Sequence, residues 1–203
     1  MKKVMITVCL MLGIGLTQMS AQNFSFGVKA DANVSNFILS DLESMKSKLG
    51  FGASLGGFAK IDLAQNFAIQ PELLFHFKSS TSEIGNNEND FRYWGAEIPV
   101  YALGQWNCGN CKFLAGVGPY IALGLSAKYD NNDFDLYEKI GNSDESMLRR
   151  FDFGFGATLG YEFSNGIQIN AGYKLGVLNA MDAGRDDASM LPQTISLGVG
   201  YRF

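Results

Sequence analysis

Histidine and cysteine are scarce in this chain of 203 residues, which contains one His and three Cys. So few of these ligands leave little room for a metal site rich in His or Cys, and we expect no cofactor. Charge of a single strong sign is also lacking, because the formal net charge is only −4. An acidic balance argues against nucleic acid as a partner, since phosphate binding relies on clustered Lys and Arg.

Long hydrophobic runs are missing except at the start of the chain. The apolar run 4–16 follows the basic residues 2–3 and precedes the small residues 20–21. This order predicts a cleaved signal peptide over 1–21, with one domain over 22–203. An amphipathic core helix is the alternative for the run. The run is too short for a transmembrane helix, which needs ~20 apolar residues. Lipid attachment at Cys9 is not favoured, because Val8 stands where a small residue is needed.

Glycine and phenylalanine are abundant, at 24 and 16 residues. Many glycines together with many aromatic residues are more typical of turn-rich β structure than of helices. Composition therefore favours an all-β domain.

A period of two is clearest in residues 151–163. Large apolar residues alternate there with small or charged ones, which places the two sets on opposite faces of a strand. The apolar set is Phe151, Phe153, Phe155, Ala157, Leu159, Tyr161 and Phe163. The pattern resumes over 167–177 after Asn165-Gly166, a pair typical of a tight hairpin, and again over 194–203.

Five earlier segments have a similar character, which gives eight predicted strands. They cover roughly 24–35, 51–61, 67–78, 92–106 and 112–127. The connections alternate in length: those near 62–66, 107–111 and 164–166 are short, and those near 36–50, 79–91, 128–148 and 179–192 are long and polar. Short turns at one end and long loops at the other are typical of outer-membrane barrels.

The polarity of the two faces distinguishes a soluble barrel from a membrane barrel. An inward apolar face would force four Phe and one Tyr of 151–163 into an interior that eight strands barely leave open. An outward apolar face meets lipid, and each strand reaches the ~9–11 residues needed to cross the hydrocarbon. We therefore predict an eight-stranded antiparallel up-and-down transmembrane β-barrel in a bacterial outer membrane, with both termini periplasmic and outer-membrane lipid as its surroundings.

Four short motifs in order resemble the PorT-like outer-membrane β-barrel family over nearly the whole chain from Gly27 to Phe203. They are Gln70-Pro71-Glu72-Leu73-Leu74, Glu97-Ile98-Pro99-Val100, Gly116-Val117-Gly118-Pro119 and Phe151-Asp152-Phe153-Gly154. The closing Tyr201-Arg202-Phe203 resembles the signal read by the barrel-assembly machinery, with Tyr201 and Phe203 as its main residues. The resemblance implies an outer-membrane barrel and no single activity; a few such proteins are linked to a protein-secretion apparatus.

Charged residues of both signs fall on the predicted inner face. They are Lys29, Asp31, Lys60, Glu72, His76, Lys78, Glu97, Asp152, Glu162, Lys174 and Arg202. Such a set can line an ion-selective pore, or it can pair within itself and plug the lumen. Eight strands enclose just enough room for side chains, so the plug is favoured.

His76 lies on the same predicted inner face as Glu72, four residues along the strand, an arrangement that could serve a general base. No Ser or Cys is identifiable as its nucleophile, so a structural hydrogen bond is the preferred interpretation. We therefore predict a non-enzymatic barrel that supports the envelope or binds an envelope or extracellular protein through its loops. A narrow pore is the first alternative, and a hydrolase or acyltransferase is a distant second.

Cys108 and Cys111 form a C-x-x-C motif in a predicted turn. A redox pair or half of a zinc site is conceivable, but a second ligand pair is missing. The turn should face the periplasm, which is oxidising, so we predict a disulfide between Cys108 and Cys111.

Two further patterns carry no predicted site. The acidic loop 128–148 includes Asp130-Asn131-Asn132-Asp133-Phe134-Asp135, which departs from the helix-loop-helix calcium pattern at Phe134 and lacks its Gly. The Gly-x-Gly pairs at 116–118 and 154–156 lie within predicted strands, where no helix follows to bind a phosphate.

Three prolines are unexpected in a closed barrel. Pro71, Pro99 and Pro119 fall inside three neighbouring predicted strands, where each removes a backbone donor. We predict β-bulges at these positions and a weakened wall across them.

Overall fold

A computed structural model describes residues 24–40, 50–84, 87–129, 150–178 and 189–203. Eight strands are present in this part of the chain. They are β1 (Phe24–Ser40), β2 (Gly50–Ala64), β3 (Phe67–Ile84), β4 (Asn87–Asn107), β5 (Cys111–Tyr129), β6 (Phe151–Phe163), β7 (Ile167–Gly176) and β8 (Ser189–Arg202). No helix in the described ranges is long and apolar enough to cross a membrane.

Each strand pairs antiparallel with the next one, and β1 pairs with β8, so the sheet closes into a barrel. The closing seam runs from the pair Gly27–Arg202 to the pair Ser40–Ser189. Closure leaves no sheet edge without a partner strand, as a membrane-spanning sheet requires. The predicted fold class is confirmed.

Short turns lie at the same barrel end as Phe24 and Phe203. In the β6–β7 turn, Gly166 has a φ of 87°, a conformation that glycine adopts at little cost. The amide of Gly166 donates to the carbonyl of Phe163 at 2.9 Å, and the Asn165 side chain accepts from the amide of Ile167 at 3.1 Å. The Asn-Gly pair therefore forms the tight turn that the sequence predicts.

Several strands are longer at the other end than the sequence predicts. β1 continues to Ser40, and β3 and β4 pair as far as Ile84 and Asn87. The connections predicted over 36–50 and 79–91 are therefore partly strand. The predicted strands stop where polar residues begin. The actual strands continue, because backbone pairing beyond the membrane does not need an apolar face.

The two faces of the wall have the polarity of a membrane barrel. Phe155 on the outer face is 57% exposed, whereas Lys60 and Glu162 inside are 1% and 2% exposed. A water-soluble protein buries its aromatic residues and exposes its charges, so the arrangement is inverted here.

The interior is less polar than predicted. Ala68, Tyr101 and Leu103 form an apolar cluster inside the barrel, and Leu114 is buried as well. The ring of Phe58 lies against Gly27 and occupies the space in which a Cβ there would stand. Filling a barrel of eight strands takes bulky side chains as well as charged ones.

The predicted bulges at the prolines are wrong. Each proline instead interrupts the pairing with the preceding strand for two residues and leaves the register unchanged. The interruptions lie between the pairs Phe58–Glu72 and Ile61–Ile69, Pro71–Val100 and Leu74–Glu97, and Pro99–Tyr120 and Ala102–Val117. The reason is that a strand residue directs its N–H toward one neighbour only, so a missing donor affects a single ladder.

These interruptions lie at one height of the wall. Residues 70–71 of β3 face the interruption with β2, and they pair with residues 100–101 of β4, which face the interruption with β5. Register shifts occur elsewhere, at Leu63 in β2 and beside Trp94 and Gly95 in β4. The wall is therefore interrupted across β2 to β5, though not by bulges.

Candidate functional site

The barrel interior holds three groups of polar side chains, stacked from the end that carries the termini to the end that carries the long connections. The terminal cluster comprises Lys60, Glu162, Gln168 and Arg202. Lys60 Nζ lies 3.1 Å from Glu162 Oε2, and Arg202 Nε lies 3.0 Å from Glu162 Oε1. Gln168 donates to Glu162 Oε2 at 2.8 Å. Both carboxylate oxygens of a fully buried Glu162 are thus engaged, as a buried charge requires.

The central cluster contains Lys29, Asp31, Ser54, Gln70 and Glu72. Lys29 Nζ lies 3.1 Å from Glu72 Oε2 and 3.7 Å from Asp31 Oδ1. Gln70 donates to Glu72 Oε1 at 2.8 Å, and Ser54 donates to Asp31 Oδ2 at 3.1 Å. One lysine therefore serves two carboxylates, and neutral side chains bind the remaining oxygens.

The loop-end cluster is built from strands β3 to β8. Lys174 donates to Glu97, and Tyr120 donates to Asp152 Oδ2 at 2.8 Å. Lys78 donates to Thr194 Oγ1 at 3.2 Å. Glu97 and Lys174 retain 10% and 14% of their side-chain exposure, more than the terminal pair Lys60 and Glu162. The pair Lys60–Glu162 is therefore the more deeply buried of the two, while Arg202 beside it retains 29% of its side-chain exposure.

His76 lies inside the barrel, but it does not contact Glu72 as the sequence suggested. Both oxygens of Glu72 bind other side chains, and the His76 ring stacks on Tyr93 with centroids 5.3 Å apart. Its Nε2 has no hydrogen-bond partner among the described residues, and it lies where a Cβ at Gly95 would stand. A small residue at position 95 thus makes room for the ring.

The predicted lumen set lies on the inner face, and all of its members except His76 belong to the three clusters. Five neutral members of the three clusters were not singled out from the sequence: Ser54, Gln70, Tyr120, Gln168 and Thr194. Their position in the alternation was the available signal. The strand parity that places Glu72 inside also places Gln70 inside.

Cys108 and Cys111 form a disulfide with Cα atoms 5.1 Å apart. The amide of Cys108 also donates to the carbonyl of Cys111 at 2.8 Å, so the bond spans the ends of the β4–β5 turn. The turn lies beside the β6–β7 turn, because the amide of Ser164 donates to the carbonyl of Asn110. The two sulfur atoms therefore fasten a turn at the end that carries the termini.

Two sequence predictions fall outside the described residues. These are the signal peptide over 1–21 and the acidic loop predicted over 128–148, of which all but residues 128–129 lie outside. Within the part of the chain that the structure describes, no group of three or more His, Cys, Asp or Glu residues could hold a metal ion.

Comparison with known proteins supports the barrel over almost its full length. A family model described as "outer membrane protein beta-barrel domain" matches residues 6–203. No curated protein matches the chain. Many solved structures do match it, and all those named below are less than 25% identical, so the likeness shows the fold alone.

Three of these structures are outer-membrane or surface proteins. Neisserial surface protein A is 16% identical with a TM-score of 0.52, and the match covers 88% of this chain and 97% of that one. OprG from Pseudomonas aeruginosa is 15% identical with a TM-score of 0.50, covering 88% and 95%. The outer membrane enzyme PagL is 10% identical with a TM-score of 0.46, covering 84% and 98%.

Proposed function

The chain belongs to the outer membrane protein beta-barrel domain family, and from this premise we propose that it is a non-enzymatic envelope protein with a closed interior. In this proposal the barrel is a rigid support, and the segments that connect the strands at the loop end bind an envelope or extracellular protein. Outer-membrane lipid surrounds the barrel, which is inserted by the barrel-assembly machinery with both termini in the periplasm.

The terminal cluster is the observation that carries the proposal. Lys60, Glu162 and Arg202 come from three different strands, and Lys60 and Glu162 are almost completely buried. A solute moving through the barrel would have to separate these charges from each other. Separation of a buried pair leaves an uncompensated charge, which is strongly unfavourable.

No catalytic role is assigned to His76. A general base must come within hydrogen-bond reach of the group from which it takes a proton. Nε2 of His76 has no such neighbour among the described residues, and the ring is stacked on Tyr93. The alternative of a hydrolase or acyltransferase therefore has no support from this histidine.

The PorT-like subgroup remains part of the proposal and rests on the four motifs. Two of the motifs contribute interior carboxylates that bind lysines, namely Glu72 with Lys29 and Glu97 with Lys174. Three of them contain the prolines that interrupt the wall. A role as an accessory of a secretion apparatus rests on this resemblance alone.

Swelling of proteoliposomes in isotonic solutions of small sugars and amino acids tests the choice between a closed barrel and a pore. The refolded barrel, identified by its heat-modifiable gel mobility, is expected to swell no faster than empty liposomes. The variant Lys60→Ala/Glu162→Ala is the matched control, because it removes both members of the buried pair and leaves space in the lumen. Swelling by the unmodified chain would replace the proposal with the narrow pore.

A further inference from the structure

The outer face of the barrel has a depression across β1 and β2. Its floor consists of three exposed alanines, Ala30, Ala32 and Ala53. One wall contains Leu197 and Val199. The opposite wall is mainly aromatic and contains Leu55, Phe75, Phe77 and Trp94.

The register explains why these residues meet. Ala32 pairs with Leu197 on one side and with Ala53 on the other, and Ala53 pairs with Phe77, which pairs with Trp94. One row of the outer face thus begins at Leu197, crosses the methyl groups of the two alanines and ends at two aromatic rings. The rings of Phe77 and Trp94 lie 4.9 Å apart and make a continuous wall. The depression has a volume of about 760 Å³.

A cation lies above the aromatic wall. Arg92 precedes Trp94 by two residues on β4, so both side chains point outward, and Arg92 is exposed. The step along the strand places Arg92 roughly 7 Å nearer the loop end. Guanidinium groups bind phosphate oxygens in a bidentate manner, so this position suits a phosphorylated head group.

We propose that the depression is a binding site for one acyl chain of a phosphorylated membrane lipid, whose head group is bound by Arg92. The apolar floor and walls lie on the membrane face of a barrel, so hydrocarbon is what meets them. Among the residues that the structure describes, Arg92 is the cation beside the depression, and its position at the loop end gives the site a direction. The inference rests on the membrane location of the fold and not on the proposed function.

Fluorescence quenching by brominated lipids tests the site. The chain has two Trp residues, and Trp106 lies at the opposite end, so Trp106→Phe leaves Trp94 as the only reporter. This variant is refolded in zwitterionic detergent and titrated with phosphatidylglycerol or phosphatidylcholine carrying the same brominated chains. We expect saturable quenching, with half-quenching at about fivefold less phosphatidylglycerol than phosphatidylcholine, the factor that corresponds to about one cation at an anionic surface.

Matched variants separate the site from the general lipid annulus. Ala53→Leu and Ala32→Leu fill the floor and should raise the half-quenching concentration several-fold, whereas Ala157→Leu places the same side chain on the exposed face of β6 and should not. Arg92→Gln should remove the preference for phosphatidylglycerol. Heat-modifiable mobility verifies folding, and two filling variants guard against one that does not fold.

Three outcomes would overturn the proposal. The first is that Ala53→Leu and Ala157→Leu give equal quenching curves. The second is that the two lipids give equal quenching curves with the unmodified site, and the third is quenching that rises without saturation. Crosslinking that shows a second copy of the chain on the depression would also overturn it. The assay in detergent depends neither on the loops nor on a closed lumen, so failure of this inference and failure of the proposed function are distinguishable.

Discussion

Lys60 on β2 and Glu162 on β6 are 102 residues apart in sequence, and their side chains form a buried contact of 3.1 Å across the barrel interior. The two strands are not neighbours in the sheet. The contact therefore joins opposite parts of the wall rather than adjacent strands. Arg202 and Gln168 bind the same carboxylate, so Glu162 is the centre of the terminal cluster.

Glu162→Ala should destabilise the barrel strongly, because it leaves Lys60 buried without its carboxylate. We expect a loss of about 3–5 kcal/mol in the free energy of unfolding. Urea titration of the refolded barrel in lipid vesicles measures it. The double variant Lys60→Met/Glu162→Leu should lose less than the single one, since Lys60 is no longer a buried unpaired charge and only the partly exposed Arg202 loses its carboxylate. A single variant as stable as the unmodified chain would show that the buried pair does not hold the barrel together.

Glu72→Ala and Glu97→Ala should each lower the temperature at which the folded gel band disappears. Glu72→Ala leaves Lys29 and Gln70 without their acceptor, and Glu97→Ala leaves Lys174 unpaired. The control Arg92→Gln changes an exposed charge on the outer face and should leave that temperature nearly unchanged. Unchanged heat resistance in both interior variants would show that these contacts do not hold the barrel together.

The disulfide between Cys108 and Cys111 should be intact in protein purified from the envelope without reductant. Mass spectrometry after alkylation counts the free thiols, and two free thiols would refute the assignment. Cys108→Ser/Cys111→Ser should cost at most about 2 kcal/mol of unfolding free energy, because the bond closes a very short loop. A larger loss would mean that the turn is needed for the barrel to close.

The proposed orientation predicts which positions can be labelled on intact cells. Gln65→Cys lies in the exposed β2–β3 turn, and Asn132→Cys lies in the segment that connects β5 and β6 at the opposite end. A membrane-impermeant maleimide should label Asn132→Cys on intact cells and Gln65→Cys only after the outer membrane is permeabilised. The opposite order would place the termini outside the cell.

The hydrophobic alternation was sufficient to predict most of the fold. The strand β6 begins and ends where the alternation over 151–163 does, because both of its faces continue to the ends of the strand. For β3, the predicted end at 78 is six residues short of Ile84, since polar residues beyond the membrane still pair through their backbones. The alternation shows which face of a strand meets lipid. It does not show where a strand ends beyond the membrane, because neither face meets lipid there.

The sequence was enough to predict which charged residues lie inside the barrel, but not which of them contact each other. Parity along each strand was enough to place Lys60 and Glu162 inside. Their contact depends on the stagger of the closed barrel, which relates strands distant in sequence and is not encoded in any local pattern. The pairing of His76 was missed in the same way: its inward neighbours along β3 are Leu74 and Lys78, and its stacking partner Tyr93 comes from the paired strand β4.

The prolines show a different limit. Their positions correctly indicated where the wall is interrupted, because Pro71, Pro99 and Pro119 all lack a donor at nearly one height. The sequence does not specify how the chain accommodates the loss. An extra residue is needed for a bulge, and none is inserted opposite these prolines.

Single-channel conductance of the refolded barrel in a planar bilayer tests the closed interior most directly. The folded state is verified by heat-modifiable mobility before the measurement, and Lys60→Ala/Glu162→Ala is recorded in parallel as a lumen without the buried pair of the terminal cluster. We expect no conductance steps from the unmodified chain, which would leave the loop end as the place where its function lies. Stable conductance steps from the unmodified chain would contradict the account and make the narrow pore the function of this protein.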